Sequence, residues 1–212
     1  MASPDELDAA QHKLMVDMTF PCVVNPILRE LEDKNHSTTP TLIRESFEEV
    51  EAFYPGFTEF FVRGLLTKAR IDDRIDMPEA ILKLEGSGEQ KDVLLRRHES
   101  VFRNLQHRAD SLKLILGRIP DEISDRKKFL DTIKDIAHAI KHLLDAVNEV
   151  FTQIGVAEDR HRLDKKKKDF VKYSKRFSTT LKDFFKDNRK NAVYISANHL
   201  VHQTNQILLA VA

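Results

Sequence analysis

Regularly spaced lysines are the residues in this chain whose pattern most clearly suggests a binding chemistry. They form two pairs, Lys134 with Lys141 and Lys175 with Lys182. The members of each pair are seven residues apart, which is two helical turns or about 10.5 Å, so each pair lies along one face of a helix. The residues between them on that face are Ala137 and His138 in the first segment and Ser178 and Thr179 in the second.

If the two helices are neighbours, the four lysines surround a shallow trough with small residues along its floor. An amphipathic helix with a ridge of leucines and acidic flanks fits such a trough. Its leucines would lie over the small residues of the floor, and its carboxylates would reach the lysines. The alternative is that the lysines only form a solvated face on two Lys-rich helices, and the spacing alone leaves both interpretations open.

Catalytic and cofactor-binding patterns are weak in the rest of the chain. A phosphate-binding loop needs closely spaced glycines, and of six glycines only Gly86 and Gly88 form a close pair. Histidines at helical spacing form two groups, Asp135 with His138 and His142, and His199 with His202. Chance explains both groups in a chain with nine histidines, and Cys22 in its apolar setting is interpreted as a buried thiol. We therefore predict no catalytic residue, metal or cofactor.

Charge is distributed unevenly along the chain, although the formal net charge is zero. Residues 1–90 carry a net charge of −9, residues 91–164 of +1 and residues 165–190 of +8. Aromatic residues in the basic segment are spaced by seven, as in Phe170, Phe177 and Phe184, which is typical of a helical core stripe and not of a base-stacking platform. Nucleic acid is therefore disfavoured, whereas contact of the Lys165 to Lys190 surface with anionic lipid head groups remains an alternative.

The composition favours long amphipathic helices and an all-α fold. The 212 residues include only 6 glycines and 7 prolines, no tryptophan, and 32% charged residues, which argues against a β-sandwich or barrel. A single cysteine excludes an intramolecular disulfide and favours a reducing compartment. The acidic N-terminus lacks an apolar signal segment, so we expect a soluble, cytoplasmic protein.

Four long segments with one apolar stripe each predict an antiparallel four-helix bundle over residues 96–212. The first segment ends at Gly117 before Pro120, the usual punctuation at the C-terminus of a helix. The second has the longest stripe, formed by Phe129, Ile133, Ile136, Ile140, Leu143, Val147 and Val150. The third carries Phe170, Phe177, Leu181 and Phe184, and the fourth carries Val193, Ala197, Leu200, Thr204, Ile207 and Val211.

The sequence predicts a separate N-terminal domain of three or four shorter helices over residues 1–71. Breaks are expected at Pro21 and Pro26, at residues 35–40 and at Tyr54–Gly56. The large apolar residues of this domain exceed what about seventy residues can bury, so we expect it to meet another chain. Residues 72–95 are predicted to form a linker with one short helix at Pro78 to Leu84.

Several long stretches resemble the programmed cell death protein 10 family, also called the cerebral cavernous malformations 3 protein family. One begins Ile119-Pro-Asp-Glu-Ile-Ser-Asp-Arg126 and continues from Phe129 to Lys141; the others are Phe170-Val-Lys-Tyr-Ser-Lys175 and the segment from Val193 to Leu208. The resemblance covers residues 17–212 and is densest over residues 119–150 and 168–208.

The resemblance implies a non-enzymatic adaptor with an N-terminal helical dimerisation domain, a linker helix and a C-terminal bundle similar to the focal-adhesion-targeting domain. In such a protein the N-terminal domain homodimerises or pairs with germinal-centre kinases of the third subgroup. The bundle binds leucine-aspartate-type helices, as in paxillin and in the adaptor malcavernin, and engages striatin in a phosphatase and kinase assembly. The implied processes are apoptosis or cell survival, migration, junction integrity and angiogenesis.

The resemblance also assigns functional positions in this sequence. The motif-binding groove falls on Lys134, Ala137, Ile140, Lys141, Lys175, Ser178 and Lys182. The dimer and kinase interface falls on Ile43, Ser46, Leu65 and Leu66. The implied location is the cytoplasm, with peripheral association at the Golgi apparatus and the cell membrane, where anionic phospholipid would be a further partner.

Overall fold

A computed structural model describes residues 4–35, 38–87, 93–95, 97 and 99–212, apart from the side chains of residues 4–10 and of Asn35. All regular secondary structure in these residues is helical, which confirms the predicted all-α class. The chain divides into an N-terminal unit, Met1–Ile81, and a C-terminal unit, Leu82–Ala212. Gly88 of the predicted linker, and His36 and Ser37 of a predicted turn, lie outside the described residues.

The described part of the N-terminal unit contains four whole α-helices and the start of a fifth. They are α1 (Pro4–Thr19), α2 (Asn25–Asn35), α3 (Thr39–Phe53) and α4 (Phe57–Lys68), with a π-helical turn at Phe20–Val24 and a 3₁₀ turn at Asp72–Arg74. Helix α5 (Met77–Gly86) follows and includes the short helix predicted at Pro78 to Leu84.

The helical path continues through Pro21 and Pro26, so the break predicted there is wrong. The backbone N–H of Asn25 donates to the carbonyl oxygen of Phe20, five residues earlier. Pro21 has no N–H and its ring crowds the preceding turn, and a wider π-helical turn relieves that crowding without ending the helix. Helices α1 and α2 are therefore joined by a π-helical turn and not by a loop.

The turn between α3 and α4 is fixed by the carboxylate of Glu51. This carboxylate accepts hydrogen bonds from the N–H groups of Gly56 and Thr58 and from the Thr58 hydroxyl. Burial opposes the charged form, but these hydrogen bonds outweigh it and hold the pKa of Glu51 below its ordinary value. Gly56 has a φ of 95°, in the left-handed region that favours glycine. The turn predicted at Tyr54–Gly56 is therefore confirmed.

A small apolar core and two groups of polar contacts between helices stabilise the N-terminal unit. Its core is formed by Leu14, Met15, Met18, Cys22, Leu28 and Val62. The guanidinium of Arg44 on α3 makes two 3.0 Å hydrogen bonds to the carboxylate of Glu32 on α2. The carboxylate of Glu59, which is buried, accepts from Arg63 at 2.8 Å and lies 3.1 Å from His12 Nδ1. Cys22 is a buried thiol, as the sequence predicts.

The C-terminal unit contains the predicted antiparallel four-helix bundle. Its helices are α6 (Ser100–Gly117), α8 (Arg126–Gln153), α9 (Ala157–Asp187) and α10 (Lys190–Leu209), with a single turn, α7 (Ile119–Glu122), between the first two. The carboxylate of Asp125 caps α8 by accepting from the N–H groups of Lys127 and Lys128. Asn188, with a φ of 53°, ends α9 in the left-handed region.

The bundle core follows the apolar stripes read from the sequence, with one informative exception. Phe102, Phe129, Phe170 and Phe177 are fully buried, together with the apolar face of α10. On α8, Phe129, Ile136 and Leu143 are buried, whereas Ile133 and Ile140 of the same predicted stripe are only half-buried. The apolar stripe of α8 is therefore wider than the core that it faces.

The end of α5 packs against α6 through two glycines. A Cβ added at Gly117 would lie 2.3 Å from the Cα of Gly86, so the two backbones are in direct contact. Next to this crossing, Lys113 Nζ lies 3.5 Å from a carboxylate oxygen of Glu85, and both side chains are buried. Gly86, which the sequence suggested as part of a connector, is therefore a packing position within the C-terminal unit.

His199 on α10 is a buried titratable side chain. It stacks on Tyr173, with ring centroids 4.7 Å apart, and joins α10 to α9. Burial, with smaller contributions from the charges of Arg176 and His202, lowers its pKa to about 4. His199 is therefore neutral in the folded bundle near pH 7.

Replacing Gly117 with Ala should destabilise the C-terminal unit by about 1–3 kcal/mol, because the new methyl group collides with the Gly86 backbone. Gly155→Ala is the matched control, since no atom lies within 4 Å of its added Cβ. Urea denaturation measures both free energies of unfolding. Equal stability of the two variants would contradict close packing at Gly86 and Gly117.

Acid should destabilise the bundle through His199. In the unfolded chain His199 binds a proton at its ordinary pKa of 6.5, whereas in the folded chain it binds one only near pH 4. Protonation of His199 therefore favours the unfolded chain. The free energy of unfolding is unaffected by His199 above pH 6.5 and decreases as the pH falls from 6.5 to 4. The loss between pH 7 and pH 4.5 should be about 2–3 kcal/mol larger in the natural protein than in His199→Phe, which keeps a ring but does not titrate. Denaturant titrations at both pH values measure this difference, and identical pH profiles would contradict it.

Candidate functional site

A groove opens between α8 and α9. These two helices touch each other far less than α6 touches α8 or α9 touches α10, so their facing sides are not sealed against each other. The groove has a volume of about 260 Å³. It is lined by Ile133, Ile136, Ala137, Ile140 and Leu144 from α8, and by Val171, Ser174, Lys175, Phe177, Ser178 and Leu181 from α9.

The floor of the groove is apolar and rests on the bundle core. Ile136, Phe177 and Leu181 are buried beneath it, and the half-buried Ile133 and Ile140 form its α8 side. The part of the α8 apolar stripe that the core does not cover is therefore the surface exposed in the groove. Covering it with apolar side chains of another molecule would remove that surface from water, at about 25 cal/mol for each Å².

The serine hydroxyls on the α9 side are already satisfied by their own helix. Ser174 Oγ donates to the carbonyl oxygen of Phe170 at 2.9 Å, and Ser178 Oγ donates to that of Ser174 at 3.1 Å. These two residues therefore add little bulk and no unsatisfied hydroxyl donor to the groove. An incoming apolar side chain can approach the α9 backbone here without stranding a polar group.

The structure brings together four of the seven groove residues that were predicted. Ala137, Ile140, Lys175 and Ser178 all line the groove. The other three, Lys134, Lys141 and Lys182, are exposed residues of the same two helices but do not contribute to its lining. Lys141 follows the lining residue Ala137 by four positions and Lys182 follows the lining residue Ser178 by four, so each cation lies beside a groove residue on the same face of its helix. We call Lys134, Lys141 and Lys182 the rim lysines.

The four lysines differ in their local electrostatics. Lys134 Nζ donates to Asp131 Oδ1 at 2.8 Å, and this contact raises the pKa of Lys134 and lowers that of Asp131. Lys141, Lys175 and Lys182 make no ion pair with any described carboxylate. Sequence reasoning missed Asp131, although its position three residues before Lys134 is a typical ion-pair spacing.

His138 does not belong to the groove floor where the lysine spacing placed it. It lines a different cavity of about 230 Å³ between α6 and α8, together with Arg108, Ser111, Ile115, Asp135, Ala139 and His142. Asp135 in this cavity accepts from Arg118 Nη1 at 3.1 Å. Within the described residues, no group of three His, Cys, Asp or Glu side chains could hold a metal ion.

The predicted dimer and kinase interface lies on α3 and α4. Ile43 and Leu65 are 38% and 51% exposed, Ser46 is exposed, and Leu66 is half-buried. The ring of Phe47 on α3 lies 5.7 Å from Phe57 and 5.4 Å from Phe61, which joins the two helices.

The same two helices carry a further group of exposed aromatic residues. Phe53, Tyr54 and Phe60 are each more than 70% exposed, around the turn that joins α3 to α4. Phe53 ends α3, Tyr54 follows it in the turn, and Phe60 lies near the start of α4. Exposed apolar surface of this kind is typical of a protein–protein contact.

Among the described residues, no helix combines the length and apolar character needed to span a bilayer.

Comparison with known proteins gives matches over both units. A family profile described as "Programmed cell death protein 10, dimerisation domain" matches residues 12–72. A second profile, "Programmed cell death protein 10, C-terminal", matches residues 75–164. A protein of Caenorhabditis elegans named "Programmed cell death protein 10 homolog" is 34% identical over 198 residues, which cover 90% of this chain and 91% of the worm protein. The similarity therefore extends over most of both chains.

Proposed function

The chain belongs to the programmed cell death protein 10 family, and from that premise we propose that it is a two-armed, non-enzymatic adaptor. The family resemblance read from the sequence is thereby confirmed, and with it the general adaptor role of the family. One arm is the N-terminal unit, which pairs with another chain. The other arm is the groove between α8 and α9, which binds an amphipathic helix.

The N-terminal arm is supported by the dimerisation-domain match over residues 12–72, which favours self-association. We propose that the contact uses Ile43, Ser46, Leu65 and Leu66. A germinal-centre kinase of the third subgroup would compete for the same face, because one apolar surface cannot be covered by two partners at once. Kinase activity in a preparation of this protein would then belong to the bound partner.

The groove is the single observation that carries the second arm. An apolar floor flanked by cations is complementary to a helix with a leucine ridge and acidic flanks, the pattern of a leucine-aspartate motif. Leucines of such a helix would cover Ile140 and Ala137, and its carboxylates would reach Lys175 and the rim lysines. Paxillin-type motifs, a malcavernin-type adaptor and striatin are the partners that the family relationship suggests.

A peripheral lipid-binding bundle is the second candidate, and the basic surface from Lys165 to Lys190, with a net charge of +8, is the feature that favours it. This surface begins with the run Lys165–Lys168. Three of these four lysines are engaged by the bundle itself. Lys166 Nζ donates to Gln206 Oε1 at 2.7 Å, Lys167 Nζ to Asn148 Oδ1 at 2.6 Å, and Lys168 Nζ lies 2.6 Å from Asp164 Oδ2.

We propose a cytoplasmic adaptor whose association with the Golgi apparatus and the cell membrane is peripheral.

Changing Lys134, Lys141, Lys175 and Lys182 together to Glu should abolish binding of a fluorescent leucine-aspartate peptide. Each exposed ion pair contributes about 0.2–1 kcal/mol, so losing four lowers affinity roughly five- to several-hundred-fold, and charge reversal adds repulsion. Asp131→Asn should strengthen binding, because it releases Lys134 from its present partner. Fluorescence anisotropy measures all three affinities.

The matched control changes Lys165, Lys166, Lys167 and Lys168 to Glu, which alters the net charge equally but lies outside the groove lining. Peptide affinity should then fall only slightly. Ala137→Asp, a single change in the floor, should block the groove while leaving helicity unchanged. Equal losses from the two lysine groups would indicate nonspecific charge attraction and favour the lipid candidate.

Replacing Leu65 and Leu66 with Asp should convert a dimer into a folded monomer. Burying two carboxylates in an apolar contact costs roughly 3 kcal/mol or more, which a dimer of moderate affinity cannot offset. Leu209→Asp, at an exposed leucine of α10, is the control that should leave the dimer intact. Sedimentation velocity reports the mass, and an unchanged dimer in the double variant would remove these residues from the interface.

A further inference from the structure

The apolar stripe of the groove continues past its lysines toward the start of α8 and the end of α9. Leu130 precedes Ala137 by seven residues, and Phe185 follows Ser178 by seven residues. Each therefore lies two turns along the same face of its helix. The helices are antiparallel, so both residues stand at the same end of the groove. They are 41% and 42% exposed.

The ring of Phe185 is held in place from below. Its centroid lies 5.5 Å from that of Phe184 and 6.0 Å from that of Phe129, and both of these rings are buried. The guanidinium carbon of Arg126 lies 5.8 Å from the Phe185 centroid. The exposed face of Phe185 is therefore an ordered apolar surface next to a cation.

The charge at this end of the groove also suits an acidic partner. Arg126 makes no ion pair with any described carboxylate. Lys182 is exposed and precedes Phe185 by three residues, so it lies beside that ring on the same face of α9. An apolar surface bordered by such cations is complementary to a helix that carries both a large apolar residue and carboxylates.

We propose that Leu130, Phe185 and Arg126 form an extension of the groove that the same acidic amphipathic helix occupies. The inference rests on the proposed function and specifies the partner. From Leu144 to Leu130 the surface is about 21 Å long, so the bound helix has at least four turns. The apolar ridge of the bound helix carries one further large apolar residue beyond the leucines that lie over Ala137. We call this residue the anchor, and it covers Leu130 and Phe185. A carboxylate beside the anchor pairs with Arg126.

The test uses the full chain and a fluorescent 20-residue leucine-aspartate peptide. Two truncated peptides each lack eight residues from one end, and lactam bridges keep all three helical, because short helices are marginal in water. The variants are Leu130→Gln, Arg126→Glu and Phe185→Leu, with Leu114→Gln as the control at an exposed leucine of α6. Circular dichroism establishes that each variant is folded.

Leu130→Gln and Arg126→Glu should each weaken the long peptide by about fivefold or more, whereas Leu114→Gln should not. One truncated peptide should bind the natural protein more weakly and be insensitive to both changes, because it lacks the turn over the extension. The other should remain sensitive, which also gives the direction of the bound helix.

Unchanged affinity of the long peptide in all three variants would overturn the extension, and so would equal losses for both truncated peptides. Because Leu130 and Arg126 are exposed, these two variants keep the test decisive if Phe185→Leu loses stability. Failure of the proposed function would differ, since the long peptide would then fail to bind the natural protein or would ignore changes in the four groove lysines.

Discussion

The open seam between α8 and α9 is the constraint on which the functional account depends. In a closed four-helix bundle each helix seals its apolar stripe against both neighbours. Here α8 packs closely on α6 and α9 on α10, while the facing sides of α8 and α9 stay apart. Ile133 and Ile140 are therefore left half-buried, and small residues such as Ala137 and Ser178 leave room above them. The bundle therefore keeps an apolar surface that its own helices do not fully cover.

The two units differ in the surfaces that they expose. The N-terminal unit is small, acidic in sequence and rich in exposed apolar residues on α3 and α4, so another chain can cover them. The C-terminal unit has its own buried core, and an apolar groove with Lys175 in its lining lies on the surface of that core. Close packing of Gly86 on Gly117 makes the end of α5 part of this second unit.

Most of the fold could be predicted from the sequence because long amphipathic helices repeat their pattern many times. Periodicity located the four bundle helices, and the seven-residue spacing of Lys134 with Lys141 and of Lys175 with Lys182 located the two groove helices. Periodicity could not distinguish core from groove, since the same stripe of α8 contains Val147, which is fully buried, and Ile140, which is half-buried and lines the groove. The break expected at Pro21 is wrong because a π-helical turn accommodates this proline. His138 does not lie in the groove because it lines the cavity between α6 and α8.

The most direct test of the central claim is methyl NMR of the full chain during titration with a leucine-aspartate peptide. We expect the methyl signals of Ile133 and Ile140 to shift in saturable fashion, because these groups lie in the groove. The signals of Ile27 and Leu114, exposed residues elsewhere, should stay in place. Shifts that centre on residues near Lys165 to Lys168, or that spread evenly over the surface, would contradict a helix-binding groove between α8 and α9.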